Sequence, residues 1–151
     1  MAPFVASPPE VVNTMLELAR IKKDDVLFDL GCGDGRIIIE VAQRFGAKAV
    51  GVELDRDRYE ECLRRIRESN LDRVNVIHGN LLDVDLRSAD IVTLYLLTSS
   101  NEVVRPKLER ELRKGSRVVS HDFPISKWTP SEVKKIKEHW LASHTIYLYM
   151  L

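Results

Sequence analysis

Val26-Leu27-Phe28-Asp29-Leu30-Gly31-Cys32-Gly33-Asp34-Gly35 is where the chain declares its architecture. A short apolar run of this kind belongs to a buried strand, and the alternate glycines after it mark a tight turn. Such a turn lets backbone approach a ligand with no Cβ in the way. Arg36 to Phe45 then has the pattern of a helix, closed by Gly46. Glu53 follows Gly35 by 18 residues and ends the next strand, Ala49-Val50-Gly51-Val52-Glu53. A carboxylate at that tip can accept both hydroxyls of a ribose, so the ligand contains a nucleoside. A dinucleotide site needs G-x-G-x-x-G, whose third glycine would fall at Arg36; here it falls at Gly35. Asp29 and Asp34 would repel a pyrophosphate, but could accept from the ammonium of an amino-acid ligand.

Outward from this turn the same alternation repeats. Val11, Val12, Met15, Leu16 and Ala19 predict a helix from Pro9 to Arg20, with Pro8 and Pro9 suited to its first turn. Tyr59, Cys62, Leu63 and Ile66 stripe a helix from Asp55 to Ser69, and Val74 to His78 is a third strand. Asp90 opens a fourth, Ile91 to Leu97, long and apolar enough for the sheet centre. Thr98, Ser99, Ser100 and Asn101 offer caps to a helix reaching Lys114, with a break expected near Arg105 because of Pro106 and a stop at Gly115. Arg117 to His121 is a fifth strand. Thr129-Pro130-Ser131-Glu132 has the form of a capping box, with Val133, Ile136 and Trp140 at helical spacing, so residues 132–138 read equally as helix or as the first strand of a hairpin. Thr145 to Tyr149 is strand-like. The expected fold is therefore α/β: a Rossmann-like, doubly wound, mostly parallel sheet with helices on both faces and an antiparallel C-terminal strand. Ligands in such sheets sit beyond the carboxyl ends of the strands.

Composition narrows the class. The 151 residues carry 23 Lys+Arg against 23 Asp+Glu, and 44% are hydrophobic, as in one globular domain over 1–151, with 1–22 as an N-terminal lid segment and helix. The longest run without a charged side chain, His139 to Leu151, is too short for a membrane span. Met1 to Pro9 lacks the form of a secretory signal, and Cys32 and Cys62 are read as reduced thiols of a cytoplasmic protein. Zero net charge weighs against nucleic acid as the main partner. Residues 105–137 do carry 10 basic and 4 acidic side chains, which reads as a solvated face interleaved with acids in preference to a modest basic face.

In combination, the acidic residue, G-x-G-x-G and the acidic end of the second strand resemble the first motif of class I (seven-β-strand) S-adenosylmethionine (SAM) methyltransferases. More closely, the chain is similar to the small archaeal broad-specificity protein lysine methyltransferases and the related mitochondrial enzymes. The likeness runs through Pro3-Phe4-Val5-Ala6-Ser7-Pro8, Asp29 to Ile39, Val52-Glu53, Gly79-Asn80, Val92 to Thr98, Asn101-Glu102, Val118 to Phe123 and His144 to Tyr149. It implies SAM as cofactor and S-adenosylhomocysteine as product. Gly31, Gly33 and Gly35 would lie under the methionine part, Asp29 would organise the loop, Glu53 would hold the ribose and Asn80 would meet the adenine. Phe4 and Ser7 would help close the cofactor site, Ser7 replacing a threonine. Tyr95 would line both cofactor and transfer site, together with Leu97 and Phe123.

The implied reaction is methyl transfer to lysine ε-amines of proteins, by a monomer with exposed lysines as its targets. A methyltransferase of RNA or a small molecule, or a noncatalytic nucleoside-binding module, is the alternative. In-line displacement needs a neutral, aligned amine, so positioning does most of the catalysis and no acid-base residue is assigned. No metal site is expected: His78, His139 and His144 lack ligand spacing, and His121 with Asp122 reads as structural hydrogen bonding. Cys32 is given no chemistry, because flanking acids raise a thiol pKa. Trp128 and Trp140 are read as packing under the terminal strands.

Overall fold

The computed structural model describes residues 6–139 and 142–151, and of residues 138, 139 and 142 only the backbone. Phe4 and Trp140 therefore lie outside the described residues. Helix α1 (Pro9–Ala19) begins on the two prolines and buries Val11, Val12, Met15, Leu16 and Ala19 along one stripe. Strand β1 (Val26–Leu30), helix α2 (Arg36–Phe45), β2 (Lys48–Glu53), α3 (Arg56–Ser69) and β3 (Val74–His78) follow as the patterning predicts. Asp55 caps α3 by accepting from the Arg58 N–H. Next come a 3-10 turn (Leu81–Asp83), β4 (Ile91–Leu94), α4 (Thr98–Glu111), β5 (Arg117–His121), β6 (Glu132–His139) and β7 (Ala142–Met150).

Among the described residues the strands form one seven-stranded sheet in the order β3-β2-β1-β4-β5-β7-β6. β1 to β5 run parallel, and β7 is antiparallel to both β5 and β6. Period-two alternation divides the core. Leu27, Ala49, Ile91, Val119 and Leu148 pack with α1, α2 and α3, whereas Phe28, Val50, Val92, Val118 and Tyr149 pack with α4 and the loop around Ile125. By the same alternation Asp29, Glu53, Thr93 and His121, at the carboxyl ends of their strands, belong to the first face. The order reverses direction between β1 and β4, which leaves a crevice at those ends.

Three expectations need correction, and one open alternative is decided. β4 stops at Leu94, so Tyr95, Leu96 and Leu97 form the connection to α4 instead of a longer central strand. Residues Thr98 to Asn101 lie inside α4, whose N-cap is Leu97 without a side-chain cap; Asn101 is buried and donates to the Phe123 carbonyl at 3.1 Å. Pro106 does not break α4: buried Val104, Lys107 and Leu108 carry the helix across the missing N–H, and it ends at Glu111, before Gly115. Residues 132–139 are strand, because β7 offers a partner edge and pairs Glu132 with Leu148 through Lys137 with Ser143. The side chains of Lys134, Lys135 and Lys137 are exposed on that strand.

Candidate active site

The glycine turn is anchored from β2. The N–H groups of Gly31 and Cys32 both donate to the Val52 carbonyl, at 2.8 and 3.0 Å. Gly31, Gly33 and Gly35 have φ of 80°, 58° and 86°, a region costly for other residues. The glycines nevertheless do different work. Gly31 is exposed toward the crevice, whereas a Cβ on Gly35 would stand 2.5 Å from the Cys62 sulfur, so Gly35 lets α2 and α3 approach. Cys32 is 5% exposed, and its hydrogen bond with Cys62, then burial, push its thiol up, which keeps it protonated.

Glu53, 7% exposed, holds the turn: one carboxylate oxygen accepts from the Gly33 N–H at 2.7 Å and the other from the Asp55 N–H at 3.0 Å. Each oxygen retains capacity for a further donor, the requirement for gripping a diol. Asp29 is 4% exposed and accepts from the Thr93 hydroxyl at 2.9 Å. Burial pushes its carboxyl up to about 7, Thr93 opposes this, and the neighbouring Glu53 and Asp34 carboxylates add to it. Neither Asp29 nor Glu53 meets a cationic side chain among the described residues. Two buried acids beside an open glycine turn fit a ligand that carries positive charge and a ribose, and SAM has both.

Asp34 departs from its expected role. Burial would raise its carboxyl, but the hydrogen bond and charge of Arg36, with Arg65, hold it below the usual carboxylate range. Its ion pairs, at 2.8 Å to Arg36 and 3.1 Å to Arg65, leave it a structural anchor instead of an ammonium acceptor. Asn80 caps the 3-10 turn by accepting from the Leu82 N–H at 2.9 Å, beside Gly79, whose N–H donates to the Glu53 carbonyl. That contact uses the Asn80 side-chain oxygen and not its amide nitrogen.

Across the crevice stands an aromatic wall. The Tyr95 ring lies 3.8 Å from that of His121 and 6.3 Å from that of Phe123, centroid to centroid. Burial, then the Asp122 charge, raises the Tyr95 phenol, which stays protonated. Leu97 is 43% exposed beside it. Ser7 is buried and its hydroxyl lies 2.9 Å from His121 Nδ1, while its carbonyl accepts from Arg36 at 2.9 Å. Ser7, just ahead of α1, is thus fastened both to Arg36 after the glycine turn and to β5. Sequence reasoning missed this part of the site: Arg36 as the clamp on Ser7, and His144, whose Nδ1 lies 2.9 Å from His121 Nε2. Only the antiparallel pairing of β7 with β5, which sets Ile146 opposite His121, brings the two histidines together. Burial pulls the His121 imidazole down to about 4, against the nearby Asp122 charge and with that of His144.

Comparison with known proteins agrees with this geometry. The ANTKMT methyltransferase domain matches residues 29–132. A protein-lysine N-methyltransferase of Saccharolobus islandicus is 47% identical over 151 residues, covering 99% of this chain and 93% of its own. A human lysine N-methyltransferase named for ATP synthase is 31% identical over 136 residues, 87% of this chain, which spans 56% of that longer protein. An RNA methyltransferase from Salinibacter ruber, solved with S-adenosyl-L-homocysteine, superposes with a TM-score of 0.91 at 40% identity, over 97% of this chain and 93% of its own. On its sequence, its sheet order and its glycine-turn site, the chain belongs to the ANTKMT methyltransferase domain family and is a SAM-dependent methyltransferase.

Proposed function

We propose that the acceptor is the ε-amine of lysine in proteins, with broad specificity, and that the enzyme works as a cytoplasmic monomer whose single domain spans 1–151. The carrying observation is the open aromatic wall of Tyr95 and Phe123, with Leu97 exposed beside it, at the mouth of the crevice. The Saccharolobus islandicus and human relatives, both named for lysine methylation, support the same acceptor. No helix among the described residues is long and apolar enough to cross a membrane.

SAM supplies an electrophilic methyl group on a sulfonium. Asp29 and Glu53 would hold its ammonium and ribose ends, Gly31 and Gly33 its backbone-facing side, and Asn80 its adenine. Lysine is mostly protonated at neutral pH, and freeing its amine costs roughly 4 to 5 kcal/mol. Tyr95 and Phe123 reduce that cost by excluding water, which disfavours the ammonium form. The protonated Tyr95 hydroxyl orients the amine, and no base has to take the proton while the methyl moves.

An RNA acceptor is the second reading, favoured by the Salinibacter ruber relative. Against it stand the Leu96-Leu97-Thr98 exit of β4 and the engagement of Arg105, on the helix that follows this exit, with Glu102. The deciding experiment supplies SAM with an isotopically labelled methyl to mixed proteins and, separately, to RNA, followed by peptide and nucleoside mass spectrometry. Label on lysines of several unrelated proteins is expected. Label on nucleosides alone would replace the lysine reading with the RNA one.

A further inference from the structure

Beyond the methyl-transfer reading stands a cluster it does not use. His121 Nε2, His144 Nδ1 and one carboxylate oxygen of Asp122 face one another in a triangle with edges of 2.9, 3.3 and 3.4 Å. Ligand atoms about 2.0 to 2.1 Å from one metal ion, at right to tetrahedral angles, stand roughly 2.9 to 3.4 Å apart. We propose that His121, Asp122 and His144 form a binding site for one divalent first-row transition ion, zinc being the probe ion, at the carboxyl end of β5 beside the transfer site.

The surroundings have the form of a built site. The second nitrogen of His121 is occupied by the Ser7 hydroxyl at 2.9 Å, so its Nε2 is aimed at the triangle. The second carboxylate oxygen of Asp122 accepts from the Thr145 N–H at 3.0 Å, which aims the other oxygen inward. Asp122 is moreover held at φ 64°, outside the ordinary range for a residue with a side chain, and its N–H donates to the Thr145 carbonyl at 2.7 Å. The three ligands come from β5, the turn after it and β7, so an ion would clasp the antiparallel seam of the sheet. His121 is fully buried, whereas the side chains of His144 and Asp122 are 16% and 27% exposed. The exposed sides of His144 and Asp122 would leave a bound ion further positions for water or a small anionic ligand. Two imidazoles and a carboxylate suit zinc, cobalt(II), nickel(II) or iron(II) better than magnesium or calcium.

A bound ion would stiffen the wall that carries Tyr95, since that ring lies against His121. The proposal is independent of which acceptor the enzyme methylates. Its test is zinc titration of the chelator-treated full chain by calorimetry, with cobalt(II) absorption as a second reading of the same site. One equivalent per chain is expected, with cobalt bands of a nitrogen and oxygen site and no thiolate charge-transfer band. His144→Ala and Asp122→Asn should each weaken zinc at least about 30-fold, and Ser7→Ala about 10-fold through loss of the outer partner. Should a variant fail to fold, the cobalt spectrum of the unaltered chain still reports whether the donors are nitrogen and oxygen. Absence of saturable binding, or affinity unchanged in both ligand variants, would show that the cluster is held by shared protons alone and overturn the metal site.

Discussion

Asp29 is where a single residue sets a measurable pH dependence. Its carboxyl is raised from 3.8 to about 7, so the folded chain holds a proton that the unfolded chain releases between those values. The stability it contributes is full below pH about 4 and is lost as pH rises through about 7. Denaturant titrations of the ligand-free protein should show this loss, and Asp29→Asn should flatten it. A cationic ligand reverses the shift, so SAM binding just below pH 7 should expel a proton. Binding enthalpies measured in buffers of different ionisation enthalpy will reveal it, and buffer-independent enthalpies would refute the pairing. Glu53 needs a finer substitution than alanine, because it also holds the N–H groups of Gly33 and Asp55. Glu53→Gln keeps much of that support while removing charge, and SAM affinity should drop at least about 10-fold, as for loss of charge-assisted bonds. Thermal unfolding should move little. Gly35 tests the packing of the turn: Gly35→Ala sets a Cβ at 2.5 Å from the Cys62 sulfur on backbone at φ 86°. We expect a loss of about 2 kcal/mol or more, part of which Cys62→Ala restores in the double variant.

At the scale of elements, Pro106 makes the sharpest case. It lies inside α4, where proline lacks the N–H for the preceding turn, yet buried Val104 and Leu108 hold the helix whole. Pro106→Ala should therefore stabilise the protein by about 2 kcal/mol, the helix gain of roughly 3 less about 1 for a freer unfolded chain, read by chemical denaturation. A loss of stability would mean that the ring itself packs. Local patterning made β1, α2, β2, α3 and β3 legible, because apolar period, glycine turns and caps agree there. It failed where tertiary contacts decide. The apolar run from Ile91 to Leu97 looks continuous, but β1 and β5 pair with it only as far as Leu94. Residues 132–138 read equally as helix or hairpin strand, and it is the free edge of β7 that takes them as strand. The cofactor half of the site was legible for the same local reason, since Asp29, the glycines and Glu53 sit in adjacent βα units. His121 and His144 are 23 residues apart and meet only through the hairpin returning beside β5.

At the scale of the whole molecule, distant parts of the chain converge on the crevice. Ser7 is tied to His121 across 114 residues and to Arg36 across 29, while Arg117 at the other end of β5 donates to the carbonyls of Ala19 and Arg20 and pairs with Asp25. Helix α1 is thereby fastened at both ends to the sheet that carries the site. A ligand held by Asp29, Glu53 and Asn80 adds its binding energy to this assembly, because the unfolded chain presents no such arrangement. At 100 times its dissociation constant SAM should stabilise the fold by about 2.7 kcal/mol. For a domain of this size that corresponds to a rise of about 5 to 10 °C in the unfolding midpoint. NAD should give no comparable shift, because Gly35 stands one position short of the dinucleotide spacing and Arg36 is already committed to Asp34 and Ser7. Arg36→Ala should reduce the SAM shift by freeing Ser7 and Asp34 beside the glycine turn, even where the midpoint of the ligand-free protein changes little. If NAD raised the midpoint and SAM did not, the crevice would be a dinucleotide site and the assignment of its acids would fall with it.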